Sequence, residues 1–147
     1  MIMESDKYKL QKLEDQVFWE SRKEYVQMLN LFSIKKIPFQ QFSDQFCELR
    51  GSNLWSAKVW KKKLEEDAFV VFPKSNEMDV QLNPKSCGFT KIISSIYSLL
   101  EISDPNITFE MNLKHPELLG YGVSEEFLRL QIKEGFLPKL KKYCKED

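Results

Sequence analysis

The side chains best equipped for chemistry are few and far apart. A single histidine, His115, lies in Lys114-His115-Pro116-Glu117. Nucleophilic catalysis by a hydroxyl or thiol needs a base within hydrogen-bond reach, so with one imidazole most such schemes would hang on this residue. No neighbouring Cys or Asp arrangement makes it a base, and it reads as a surface histidine in a loop. Cys47, Cys87 and Cys144 stand about forty residues or more apart with no Cys-x-x-Cys pair, which supports neither a zinc knuckle nor a disulfide framework and points to a reducing compartment. Gly120-Tyr121-Gly122 precedes a helix but lacks both the preceding strand and the Lys-Ser/Thr pair of a phosphate loop. It reads as a turn. Ser124 and Glu125 are explained by helix capping, and no Lys or His stands at a spacing that would activate the hydroxyl. The expectation is a protein without enzymatic activity, resident metal or cofactor.

Charge offers a different chemistry. The 22 basic and 22 acidic residues of the 147-residue chain cancel, which removes the bulk positive charge of a protein that relies on many phosphate contacts. The balance is not local. From Glu101 to Glu126 there are six acids (Glu101, Asp104, Glu110, Glu117, Glu125 and Glu126) against Lys114, and from Arg129 to Lys145 six bases against Glu134. One reading is solvated surface matched to the helix dipole. Another is an acidic patch for a cationic partner, and a third is a basic helix that meets RNA or an acidic protein through Lys133, Lys139, Lys141 and Lys142. Tryptophan is enriched in binding hot spots but is more often core in a helical protein. Trp55 and Trp60 are read as core, whereas for Trp19, beside Phe18 on a helix that already has an apolar stripe, core and a partly exposed anchor position both stay open.

These residues must be carried by helices. From Lys7 to about Phe32 the chain has neither proline nor glycine, and Leu10, Leu13, Val17, Phe18, Tyr25, Met28, Leu29 and Phe32 recur at helical spacing, which predicts one long helix. The pattern breaks over residues 33–37. Pro38 then opens a second helix bearing Phe39, Phe42, Phe46 and Leu49, with Gly51 as its C-terminal stop. Asn53 caps a third, with Leu54, Trp55, Val59, Trp60 and Leu64 against a lysine face of Lys58, Lys61, Lys62 and Lys63. Val70-Val71-Phe72 reads as buried coil and residues 73–86 as a loop. Phe89, Ile92, Ile93, Ile96, Leu99 and Leu100 mark a central fourth helix. Residues 103–123 form a long acidic loop without sustained period, and Ser124 caps a last helix that Pro138 should kink. The N-terminus has acids where a targeting peptide would have bases, and no apolar run reaches the roughly 20 residues that span a bilayer. The fold class is therefore all-α: a soluble, single-domain bundle of four to five helices over residues 1–147.

Three stretches together carry a family likeness. They are Tyr25-Val26-Gln27-Met28-Leu29-Asn30-Leu31-Phe32, running through Lys35-Lys36-Ile37-Pro38 into Phe39-Gln40-Gln41-Phe42-Ser43-Asp44-Gln45-Phe46; Ile92-Ile93-Ser94-Ser95-Ile96-Tyr97-Ser98-Leu99-Leu100; and Gly122-Val123-Ser124-Glu125-Glu126-Phe127-Leu128-Arg129. Over about residues 20–145, the chain resembles the bacterial self-protective colicin-like immunity family, which includes the colicin D immunity protein and short cyanobacterial and plastid open reading frames. The resemblance implies a small helical bundle that binds protein, with no enzymatic activity and no cofactor. It further implies occlusion of a basic partner, such as a tRNA-cleaving ribonuclease toxin, by acids standing in for RNA phosphates: by position Asp104, Glu110, Glu117, Glu125 and Glu126; Trp19, from its own context, is added as a partner-contact candidate. The 19 lysines against 3 arginines and the scarcity of alanine are what AT-rich codons produce. A bacterial cytoplasmic protein and a plastid-encoded accessory subunit of a larger stromal complex are the two settings that this composition leaves open.

Overall fold

The computed structural model describes residues 2–70 and 85–145. The chain is an all-α bundle built from α1 (Ile2–Glu20), α2 (Arg22–Ser33), α3 (Phe39–Val70), α4 (Ser86–Glu101), α5 (Phe109–Lys114), α6 (Glu125–Gln131) and α7 (Leu137–Cys144). A 3-10 segment, Pro116–Tyr121, follows α5, and a π-helical turn, Ile132–Phe136, joins α6 to α7. Among the described residues there is no strand, only an isolated parallel bridge between Ser103 and Val123. The expected coil at 71–72 and most of the expected loop at 73–86 lie outside the described residues.

The long first helix is divided at Ser21. The Ser21 amide is shared between the carbonyls of Val17 and Phe18, at 3.2 and 3.1 Å, and the small offset re-aims the apolar stripe. Phe18 and Trp19, neighbours in sequence, are consequently both buried along with Tyr25, Leu29 and Phe32. Trp19 is thus not a surface anchor: it is 5% exposed, edge-on to Phe89 and Tyr143, with the Arg22 guanidinium 4.4 Å over its ring. The rings that cover it come from α4 and α7, so no local pattern reveals its burial.

Helix α2 stops where the break was expected. Lys35 adopts a left-handed φ of 62°, and the Lys36 amide reaches back to Leu31 O at 2.8 Å, the closing bond of a Schellman turn. The next expectation is overturned. Helix α3 does not end at Gly51 but runs 32 residues without interruption, about 48 Å at 1.5 Å per residue. Glycine inside a helix costs only about 0.5–1 kcal/mol relative to alanine, less than a continuous buried stripe returns. Asn53, expected as the cap of a third helix, is buried in mid-helix. It accepts the Tyr25 hydroxyl at 2.7 Å and donates to Ser21 Oγ at 3.1 Å, so one amide ties the α1–α2 junction to α3. Burial holds the Tyr25 phenol far above its ordinary range, which keeps it a neutral donor. Trp55, read as core, is 68% exposed, and Trp60 is half-buried.

The centre of the bundle is aromatic. Phe32 and Phe42 stack at 4.1 Å, and Phe46 and Phe89 pack around Tyr25 at 5.7 and 6.1 Å. Phe42, Phe46, Ile93 and Ile96 are fully buried, as their stripes predict. Helix α4 covers its expected span and packs against α1 and α7. Pro138 is the second residue of α7, just after the π-helical turn, which the Leu137 amide closes by donating to Ile132 O.

Replacing Phe46 by Ala should destabilise the fold by about 3–5 kcal/mol in urea unfolding, the cost of an aromatic-sized cavity. Gly51→Ala should have the opposite sign. The site is open, with no atom within 4 Å of an added Cβ, and its φ is not positive, so the helix should gain about 0.5–1 kcal/mol. A loss of stability on that substitution would show that the chain breaks at Gly51.

Candidate functional site

The segment expected to be an acidic loop is a folded unit. Its two ends are paired: the Val123 amide donates to Ile102 O and the Asp104 amide to Val123 O, each at 3.0 Å, forming the bridge beside Ser103. Asp104 closes the first turn by accepting the Asn106 amide at 2.8 Å. Thr108 caps α5 through Met111 N at 3.1 Å, and Ser124 caps α6 through Phe127 N at 3.0 Å, the cap that the sequence predicts. Between them sits Asn112. Its buried amide donates to Gly122 O at 3.1 Å and accepts the Ser124 amide at 2.7 Å, so α5 is bolted to the chain entering α6. Gly122 is favoured by close approach: a Cβ there would sit 3.1 Å from the Ile107 side chain, which would have to shift. Sequence periodicity missed this unit because α5 has only six residues, too few for a recurring stripe.

Five carboxylates are arrayed on this unit, and most have a local partner. Glu110 pairs with Lys114 at 2.6 Å across one turn of α5. Glu117 meets His115 Nδ1 at 3.1 Å; its own backbone amide first, and the imidazole second, hold its carboxyl below the ordinary value. His115 is exposed, as its loop context predicts. Asp104 is taken up by its turn. Glu125 is the most committed, because Arg129 Nε and Nη2 both donate to its Oε2, at 3.1 and 2.7 Å. The third Arg129 nitrogen, Nη1, reaches Phe32 O at 2.6 Å, and the guanidinium lies 4.2 Å over the Phe32 ring. Glu125 therefore works as a structural counterion, a role that its four-residue spacing from Arg129 permits. Glu126 is exposed and lines a shallow hollow of about 220 Å³ with Lys35, Phe109, Arg129 and Lys133. Of the residues assigned to a partner surface, Asp104, Glu110, Glu117, Glu125 and Glu126 all lie on this folded segment or in the first turn of α6, and Trp19 lies in the core.

Exposed apolar groups occur both on this segment and beyond it. Met111 and Leu113 project from the acidic edge itself, and Trp55 and Val59 from α3. Lys133, Lys139, Lys141 and Lys142 are exposed along the last helix. Cys47 and Cys87 are exposed free thiols, and Cys144 is half-buried. Among the described residues no group of three or more His, Cys, Asp or Glu side chains could hold a metal ion, and no helix is long and apolar enough to cross a membrane. Comparison with family models, curated proteins and solved structures finds no match for the chain.

Asn112 is the residue on which the edge turns. Asn112→Ala would leave the Ser124 amide and the Gly122 carbonyl buried without partners, so stability should fall by about 1–3 kcal/mol and exchange of the Ser124 amide hydrogen should accelerate. Unchanged exchange at Ser124 would mean that the edge is held by other contacts.

Proposed function

We propose that this chain is a non-enzymatic protein-binding module whose acidic edge covers a basic surface on its partner. The fitting partner class is a ribonuclease whose active-site cleft is built to take tRNA phosphates. The family resemblance implies this class, and the edge supplies suitable chemistry. The single observation that carries the reading is the anchoring of the acid-bearing segment on Asn112. A mobile acidic loop would lose conformational entropy on docking; carboxylates set on a folded unit have already lost it. Their internal cations do not cancel the edge. The pairs at Glu110 and Glu117 are exposed, and ion pairs of that kind hold weakly in water, so both carboxylates can turn to a stronger cation. Glu126 adds a further negative group at the start of α6.

The test uses a purified tRNA-cleaving toxin domain with a basic cleft as the probe. The wild-type chain should protect tRNA from cleavage. Reversing Glu110 and Glu117 together to Lys should slow association at least tenfold while leaving the circular dichroism unchanged, since electrostatic complementarity acts mainly on encounter. Raising salt to 1 M, where the Debye length shrinks from about 8 Å to about 3 Å, should reproduce the slowing in the wild type. Equal rates for wild type and reversed variant, or no protection at all, would overturn the reading.

A further inference from the structure

We propose that the groove between α1 and α4 binds a free α-amino acid with an apolar side chain, its ammonium on Asp15 and its carboxylate on Lys91. The groove holds about 600 Å³, within the range of roughly 300–1,000 Å³ usual for small-molecule sites. Gln11 and Asp15, one turn apart, reach it from α1, and Cys87, Thr90, Lys91 and Ser94 reach it from α4 at helical spacing. Asp15 and Thr90 form the floor, each more than nine-tenths buried, while the other four are exposed at the rim. Most of the wall is carbon.

The two charges select the ligand. Asp15 Oδ1 accepts the Gln11 amide at 3.0 Å, a neutral partner from its own helix. Among the described residues no donor meets Oδ2 and no cation pairs with the carboxylate, yet Oδ2 is not sealed among protein atoms. A buried carboxylate needs a paired cation, and the groove is where Asp15 can gain one. Lys91 lines the same groove, joins no ion pair among the described residues and does not reach Asp15. Opposite charges that share a groove without touching suit a molecule that carries both charges itself. A phosphate would bring further negative charge against Asp15. A bare metal ion finds no group of three His, Cys, Asp or Glu side chains among the described residues. A sugar would use the Gln11 amide and the Ser94 hydroxyl but leave both charges without partners, and the Thr90 hydroxyl already donates to Ser86 O at 3.0 Å. An α-amino acid meets each charge with a charge-assisted hydrogen bond, the stronger kind, and an apolar side chain lies against the carbon wall.

Cys87 supplies the readout and Cys47 the internal control, since both are exposed free thiols and only Cys87 lines the groove. The full chain is pulsed with iodoacetamide, with L-leucine as the probe, and alkylation at each cysteine is followed by mass spectrometry. Millimolar leucine should slow alkylation of Cys87 and leave Cys47 unchanged. Isoamylamine, which lacks the carboxylate, and isocaproate, which lacks the ammonium, should each require a concentration higher by about tenfold or more, the loss expected for one charged hydrogen bond. Lys91→Gln should weaken protection by leucine by about the same factor with unchanged helicity, and Asp15→Asn should weaken it at least as much. Should Asp15→Asn lose helicity, Lys91→Gln, which alters an exposed side chain, decides by itself. Alkylation of Cys87 that leucine does not slow, equal slowing at Cys47, equal protection by the amine or the acid alone, or full protection in Lys91→Gln would each overturn the proposal. So would a Cys87 that resists iodoacetamide in the absence of leucine, which would show the groove already closed, or protection by glucose equal to that by leucine.

Discussion

A guanidinium placed against the end of α2 holds the acid-bearing end of the molecule to its aromatic core. Arg129 is buried, and a buried charge is tolerable only when its donors are used. Two go to Glu125 and one to the Phe32 carbonyl, which also accepts the Lys35 amide at 3.1 Å in the turn that ends α2. From this residue contacts spread in both directions. Phe32 stacks on Phe42 and so fixes where α3 begins; Glu125 sits in the first turn of α6, one residue after the Ser124 cap, whose amide is held by Asn112. The turn of chain after α2, with Lys35 in the left-handed region, brings α3 back against this corner.

Two buried amides complete the frame, and they act alike. Asn53 joins Ser21 and Tyr25 across the α1–α2 junction, and Asn112 joins Gly122 and Ser124 across the entry to α6. An amide carries donors and an acceptor on one rigid plane, so it can satisfy two elements at once. Each site specifies a geometry more strictly than an apolar contact does, because a shifted helix would strand a buried polar group. The acidic edge gains its definition in this way. Without Asn112, the segment would be the loop that its composition suggests; with it, the carboxylates project from a folded surface.

The charge layout follows from the same frame. Glu110 and Glu125 each find a cation four residues away, and Glu117 meets the His115 ring, so the acids of this segment have local partners.

What the sequence by itself determined is whatever depends on contacts within a turn or two. The stripe at Phe42, Phe46, Ile93 and Ile96, the Ser124 cap, the break after Ser33 and the irregularity near Pro138 all follow from spacing or backbone chemistry, and an all-α bundle follows from them. The tertiary structure decided the rest, because competing local preferences are small beside burial. Gly51 and Asn53 have the chemistry of a helix end, yet a penalty near 1 kcal/mol yields to a stripe that packs continuously against α1. Trp19 and Trp55 both sit on amphipathic helices; one is covered by Phe89 and Tyr143 from distant helices and the other is 68% exposed, a difference set by which helices cross where. The acidic segment reads as loop because a six-residue helix leaves no periodic trace and a side-chain amide bonding across ten residues leaves no pattern at all.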